Sequence, residues 1–261
     1  IVHLAAQAGV RFSISNPKSY ISNNIDGFLN ILEVSKKNNI KHLVYASSSS
    51  IYGMNKKIPF SEKDSASHPI SIYAASKRSN ELMAHVYSTL FNLPTTGLRF
   101  FTVYGPFGRP DMAPMLFANS IIKSEPIKIF NNGNMMRDFT YVDDVVDGII
   151  KVLGKPAELH KNYDSNYPDA GLSSAPWRVF NIGRGKPLPL VDFIHALEAA
   201  VGKKAHLKFL DMQPGDVQKT FADTHRLENW VDWKPKTSIE TGISAFVKWY
   251  ENVYRPNFHK S

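Results

Sequence analysis

In the first part of the chain, short apolar runs alternate with stretches of helical periodicity. The chain opens on Ile1-Val2-His3-Leu4-Ala5-Ala6, which reads as a buried strand. After a turn-rich segment to Pro17, residues Ile25, Phe28, Leu29, Leu32 and Val34 fall to one side of a stretch from about Asn23 to Asn38, as in an amphipathic helix stopped by Asn38-Asn39. Lys41 to Ala46 supplies a second strand that runs into Ser47 to Ser50 and Ile51-Tyr52-Gly53. A polar loop to Pro69 leads to a long predicted helix, Ile72 to Phe91, and Thr96 to Val103 forms a third strand ending at Gly105-Pro106. Strand, helix and strand repeated in this way predict a doubly wound α/β fold on a parallel sheet.

Beyond Pro106 the rhythm loosens. Helices are predicted near Pro114 to Lys123, from Asp143 onward, over Leu190 to Val201, near Asp223 to Trp230 and over Ile239 to Tyr254, with strands at Ile127 to Phe130, Arg178 to Ile182 and Leu207 to Leu210. A loop rich in Pro, Asp and Ser spans about Lys155 to Ala175. This half reads as a smaller α+β lobe, and no internal repeat is visible.

Composition narrows the function classes. A hydrophobic share of 43% and a charged share of 21% over 261 residues describe a chain able to bury a sizeable core. The absence of cysteine rules out disulfides and thiolate metal sites and fits a cytoplasmic setting. No apolar run is long enough for a membrane helix, so no membrane partner is expected. The formal charge of +8 is spread over single residues and pairs such as Lys36-Lys37 and Lys203-Lys204, which argues against a nucleic-acid partner and is compatible with phosphorylated small molecules.

The chemistry concentrates at Tyr73-Ala74-Ala75-Ser76-Lys77. Four residues apart on a helix, the phenol and the ammonium share a face, and a nearby cation favours phenolate, making tyrosine a usable base near neutrality. The pair alone is weak, since this spacing arises often by chance. The serine cluster at the C-terminal end of a parallel strand strengthens it, because ligands of open α/β sheets bind at that edge. A hydroxyl there can bond the oxygen of an alcohol whose proton Tyr73 removes.

With these residues the sequence resembles the extended short-chain dehydrogenase/reductase family of NAD-dependent epimerases and dehydratases, over essentially its whole length. Within that family the segments His3 to Arg11, Arg99 to Ala113, Arg137 to Tyr141, Ser173 to Gly183 and Met212 to Asp216 resemble the UDP-glucuronate 4-epimerases. The resemblance implies a Rossmann domain over 1–105 and 138–185, incomplete at its N-terminus, and a nucleotide-sugar lobe over 106–137 and 186–261. It implies Ser48, Tyr73 and Lys77 as catalytic residues, and Leu4, Ala5, Ala6, Gln7, Asn23, Tyr73, Lys77 and Phe101 as contacts to NAD. Ser49, Ser50, Thr102, Arg109, Lys128, Ile129, Phe130, Arg137, Gln213 and Asp216 would contact the substrate, though for Asp216 a turn-capping role is an equal reading. No metal is implied. Arg109 has the planar fork that holds a carboxylate through two hydrogen bonds, which a glucuronic acid requires.

The implied reaction is inversion at C4 of a UDP-sugar through a 4-keto intermediate, in an enzyme that pairs as a homodimer through helices at about Asn24 to Lys37 and Ile72 to Phe91. Such an enzyme belongs to carbohydrate metabolism and polysaccharide biosynthesis. A 4,6-dehydratase would resemble enzymes with an Asp-Glu pair after the Ser or Thr, whereas Ser48 is followed by two serines. Two alternatives stay open: a 4-epimerase of neutral UDP-sugars such as UDP-glucose or UDP-N-acetylglucosamine, and an inactive nucleotide-sugar-binding protein. The family's glycine-rich pyrophosphate turn and ribose-binding acid do not occur in the sequence, so about 60 to 80 residues of a preceding βαβαβ portion are expected to be missing. The 261 residues alone are then expected to bind NAD poorly, with Ile1 to Ala5 as a bare sheet edge.

Overall fold

The computed structural model describes residues 1–212 and 217–255. It has the Rossmann-type α/β fold, with a four-stranded, wholly parallel sheet in which Val2–His3, Leu43–Ser48, Thr95–Phe100 and Trp177–Ile182 lie side by side in chain order. Neighbours of like direction need crossovers, and the helix Gly27–Lys37 makes the first and Ile72–Phe91 the second. The first strand is shorter than the opening apolar run, and Ile1, Val2 and Leu4 are exposed along the sheet edge.

The long helix matches its sequence prediction at both ends for local reasons. Ser71 caps it, its Oγ accepting from Ala74 N at 3.1 Å, and Asn92 ends it in the left-handed region at φ 53°. The preceding helix departs from the prediction. Residues Ile21–Asp26 form a wider π-type turn before Gly27–Lys37, and only Phe28 and Leu32 of the apolar set are buried deeply, while Leu29 and Val34 face solvent. Phe28 and Leu32 pack with Leu43, Tyr45, Ala84, Tyr87, Trp177 and Val179 into the core against the sheet. Gly97 is required on its strand because a Cβ there would fall 2.6 Å from the Tyr45 hydroxyl.

The chain divides into two compact units. The first comprises Ile1–Phe101, Asp147–Ile182 and Ala222–Trp233; the second comprises Thr102–Val146 with the described parts of Gly183–Phe221 and Lys234–Ser261. The boundaries therefore fall elsewhere than the sequence expectation put them. Thr102–Tyr104 leaves the large sheet and pairs in parallel with Phe139–Tyr141, which carries 102–105 and 138–146 into the second unit. Ala222 bridges Phe60, and the helix His225–Val231 packs on Trp177–Ile182, which returns 222–233 to the first. Within the second unit, Pro126–Ile129 pairs with His206–Phe209, Met136–Arg137 pairs antiparallel with Leu188–Pro189, and the helices Ala113–Lys123, Leu190–Val201 and Ile239–Trp249 surround a core centred on Phe139, Phe193 and Phe246. No helix among the described residues is long and apolar enough to cross a membrane.

Candidate active site

The strand Leu43–Ser48 delivers its last residue to the C-terminal edge of the sheet, and the chain then tightens into a single turn, Ser49–Tyr52. Ser48 caps that turn: its Oγ accepts from Ser50 N at 3.2 Å and shares a hydrogen bond of 2.8 Å with Ser50 Oγ. Gly53 turns the chain away at φ 50°, and a Cβ there would lie 2.0 Å from the His68 carbonyl oxygen. Ser48 is buried, while Ser49 and Ser50 are half-exposed. The serine assigned to catalysis is thus held rigidly by its own turn, with the two assigned to substrate beside it.

Tyr73 and Lys77 lie in the first turns of the helix Ile72–Phe91. Tyr73 is half-buried, its ring edge-on to Tyr20 at 6.1 Å. Lys77 is 4% exposed and donates from Nζ to the Ala46 carbonyl oxygen at 2.8 Å, two residues before Ser48. Burial lowers its pKa to about 8. One of three ammonium donors is accounted for by Ala46, so Lys77 retains donors for a ribose hydroxyl.

Leu4 to Gln7 follow the edge strand at the same C-terminal end of the parallel sheet, where Leu4 and Ala5 are exposed and Ala6 and Gln7 half-buried. Their backbone is fixed from behind by Asn24, the second of the two helix-start asparagines that resemble the family's and the one not assigned to the cofactor. Asn24, fully enclosed, accepts from Gln7 N at 2.8 Å and donates to Gln7 O at 3.0 Å and Ser76 Oγ at 3.0 Å, while its own carbonyl oxygen accepts from Asn80 Nδ2 at 2.7 Å. It ties the loop after the first strand to the helix bearing Tyr73. Asn23, expected at the cofactor, is exposed and donates from Nδ2 to Ser19 O at 2.8 Å. Phe101 is packed with Ile51, Tyr52, Phe60 and Ala66, so its ring serves the core. Lys77 with its spare donors and the exposed residues Leu4 and Ala5 fit the nicotinamide-ribose half of a dinucleotide.

The second unit holds the residues assigned to the sugar and its phosphates. Thr102 donates from its backbone N to Asp138 O at 3.1 Å. Arg109 makes a side-on pair with Asp111, Nε to Oδ1 at 3.0 Å and Nη2 to Oδ2 at 2.7 Å, and the bond from Arg109 holds the Asp111 carboxyl below its ordinary range. Arg137 donates from Nη1 to the carbonyl oxygens of Met136 at 2.9 Å and Gln218 at 3.0 Å. Along Pro126–Ile129 the alternation exposes Lys128 and buries Ile129 completely, so the Ile129 side chain belongs to the core rather than to a ligand. Phe130 is half-buried. Gln213 and Asp216 lie outside the described residues.

The sequence reading left out the charged groups beneath the serines. Glu81 and Arg99 are wholly buried and paired side-on, Nε to Oε1 at 2.9 Å and Nη2 to Oε2 at 3.0 Å. Burial pushes the Glu81 carboxyl up, but Arg99, Arg78 and the Ser47 hydroxyl outweigh it and hold the pKa low.

Comparison with known proteins places this geometry. The model of the NAD dependent epimerase/dehydratase family matches residues 1–167. Protein CapI of Staphylococcus aureus is 54% identical over 98% of this chain and 76% of its own length, and a probable UDP-glucuronate 4-epimerase of Rhizobium meliloti is 49% identical over 98% and 75%. The crystal structure of a UDP-glucuronic acid 4-epimerase from Bacillus cereus, in complex with UDP-glucuronic acid and NAD, superposes with a TM-score of 0.83 at 32% identity, covering 97% of this chain and 76% of that one. With a serine, tyrosine and lysine disposed at the carboxyl edge of a Rossmann sheet and a family match over more than half its residues, the chain belongs to the NAD dependent epimerase/dehydratase family.

Proposed function

We propose that the protein is a UDP-glucuronate 4-epimerase that inverts C4 of the sugar to give UDP-galacturonate. NAD, when bound, supplies the hydride acceptor and donor for that carbon. Tyr73 takes the proton of the 4-hydroxyl, Ser48 bonds the same oxygen, and Lys77 holds the nicotinamide ribose while its charge favours the phenolate of Tyr73. Ser49 and Ser50 help seat the sugar, and Arg137 is assigned the pyrophosphate, with Gln213 and Asp216 as further contacts. Lys128 and Phe130 are assigned the uridine.

The observation that carries the choice of a uronic acid is the Arg109 fork, which already grips a carboxylate, that of Asp111, with two hydrogen bonds. A sugar carboxylate offers the same two oxygens to the same guanidinium. Together with Thr102, Arg109 would fix the C5 carboxylate in an orientation that resists loss of carbon dioxide from the β-keto acid. The test is NMR of UDP-glucuronate incubated with the full-length gene product and NAD. UDP-galacturonate without a pentose product supports the reading; inversion of neutral UDP-sugars alone overturns the carboxylate assignment and retains the Ser-Tyr-Lys chemistry. An Arg109→Ala variant whose product stays purely epimerised would remove the protective role.

The same reading includes a homodimer. Leu82, Val86 and Leu90 form an exposed apolar stripe at four-residue spacing on the helix Ile72–Phe91, and Leu29 and Val34 are exposed on Gly27–Lys37, the helix packed against it. A second copy of the two helices would cover both sets.

A further inference from the structure

Three consecutive residues of the strand that carries Ser48 are held separately. The Ala46 carbonyl oxygen accepts from Lys77 Nζ at 2.8 Å, the Ser47 hydroxyl donates to Glu81 Oε1 at 2.7 Å, and Ser48 is bonded within its own turn. Lys77 and Glu81 are one helical turn apart and Tyr73 is one turn before Lys77, so two successive turns of the helix are bolted to two successive residues of the strand.

The lower bolt is charged and enclosed. Besides Ser47, the Glu81 carboxylate accepts from Arg99 Nε and Nη2 and from Arg78 Nη1, the last at 2.7 Å. Arg99 stands directly across the sheet from Ser47 in the parallel register and donates from Nη1 to the Tyr52 oxygen at 2.9 Å. Tyr52 closes the serine turn and in turn donates to Asn181 Oδ1 at 2.7 Å. Glu81 therefore reaches the residue before Ser48 directly and the end of the turn after it through Arg99. A buried ion pair is weak evidence for stability, because apolar residues of similar volume often do as well. What this arrangement supplies that apolar packing does not is directional restraint on both sides of one serine.

We infer that Glu81 is a positioning residue for the epimerisation: through Ser47 and through Arg99 and Tyr52 it sets the register of the catalytic helix against the strand and turn of Ser48. The inference rests on the Ser48, Tyr73 and Lys77 assignment above. Tyr73 and Ser48 must address the same sugar oxygen, and a slip of the helix along the strand would spoil that for both substrate epimers.

The test uses Ser47→Ala, which deletes only the hydroxyl, and Glu81→Asp, which keeps the charge but withdraws it by one methylene, both in the full-length protein saturated with NAD. Expected is a fall in kcat of about tenfold in each, with KM for the UDP-sugar within about twofold, since misplacement by a fraction of an ångström costs rate rather than affinity. A folded variant with kcat within about twofold of the parent overturns the inference, as does a loss confined to KM. If Glu81→Asp fails to fold, Ser47→Ala decides alone. Ratios to the parent are read on whichever UDP-sugar it inverts, so failure on UDP-glucuronate alone strikes the substrate reading and not this one. For a parent that inverts neither, crystal structures decide: a Tyr73 Oη to Ser48 Oγ separation altered by about 0.5 Å or more in Ser47→Ala supports the inference, and an unchanged separation overturns it.

Discussion

Asn24→Ala isolates the joint between the loop after the first strand and the helix Ile72–Phe91. The side chain makes three hydrogen bonds, two to the backbone of Gln7 and one to Ser76 Oγ, and is 2% exposed. At roughly 1 kcal/mol net for each, removal costs about 3 kcal/mol. Part is recovered: Gln7 is half-buried and can turn its backbone groups toward water, and Ser76 keeps the Tyr73 carbonyl oxygen as acceptor for its own proton at 2.8 Å. The fourth link, Asn80 Nδ2 to the Asn24 carbonyl oxygen, is to backbone and survives. The expected loss is therefore about 2 kcal/mol, read as a lower urea midpoint by fluorescence of the four tryptophans. Asn24→Asp sharpens the test. It keeps an acceptor for Gln7 N but sets an anion where an amide donated to Gln7 O, so it should be the worse variant at pH 7 and recover at pH values low enough to protonate it. A stability change in Asn24→Ala below about 0.5 kcal/mol would refute the reasoning, because surface substitutions of no consequence already span that range.

Lys77 titrates lower in the folded chain, at about 8 against an ordinary 10.5, so the unfolded chain binds the extra proton between those values and stability rises with pH across them. Below pH 8 the penalty of about 3 kcal/mol is fully present; Lys77→Met should unfold at higher urea than the parent at pH 7, lose that advantage by pH 10.5, and be at least about 100-fold less active. Glu62 shows the opposite sign. Wholly buried, it accepts from Asn181 N through Oε1 and has no hydrogen-bond partner at Oε2 among the described residues, and burial raises its pKa to about 7, so the folded chain holds the extra proton and stability falls as pH rises from 4.5 to 7. Glu62→Gln should flatten that decline in urea titrations, and an unchanged profile would count against it. Leu82→Lys with Val86→Lys, both on the exposed stripe, should convert a dimer to a monomer in light scattering while leaving the circular dichroism unchanged.

Much of this architecture was legible in the hydrophobic pattern where one element has one face to bury. The helices Ile72–Phe91 and Leu190–Val201 fall where periodicity put them, because each is bounded by a local signal, a serine cap or an adjacent Pro and Gly. The positions of Ser48 at a strand end and of Tyr73 and Lys77 at a helix start were legible, because both are sequence features; their proposed roles come from the family resemblance. The short pairings of Met136–Arg137, Phe139–Tyr141 and Leu188–Pro189 were not, since two or three residues carry no period. Nor was the division into units, which depends on where Thr102 and Ala222 find partners far along the chain. Asn23 and Asn24 are indistinguishable by composition; which one turns inward depends on the helical phase of a wide turn that the pattern does not announce.

Glu81 and Arg99 escaped notice for a different reason, and it yields a usable rule. Charged residues on helices and strands are ordinarily read as solvent-facing, yet Arg99 sits between Leu98 and Phe100 in a strand of a parallel sheet that is covered on both faces. Such a strand has no solvent side for alternation to assign, so a charge in its interior must be paired. Its partner must then be an acid whose element packs on that face, and the helix Ile72–Phe91 carries only Glu81. The pair was therefore deducible from the strand's position in the sheet rather than from the pattern of either segment alone. The pairing across from Ser47 places it under the serine turn, where side chains must be held to a fraction of an ångström and where a directional carboxylate restrains what apolar contact would leave free to slide.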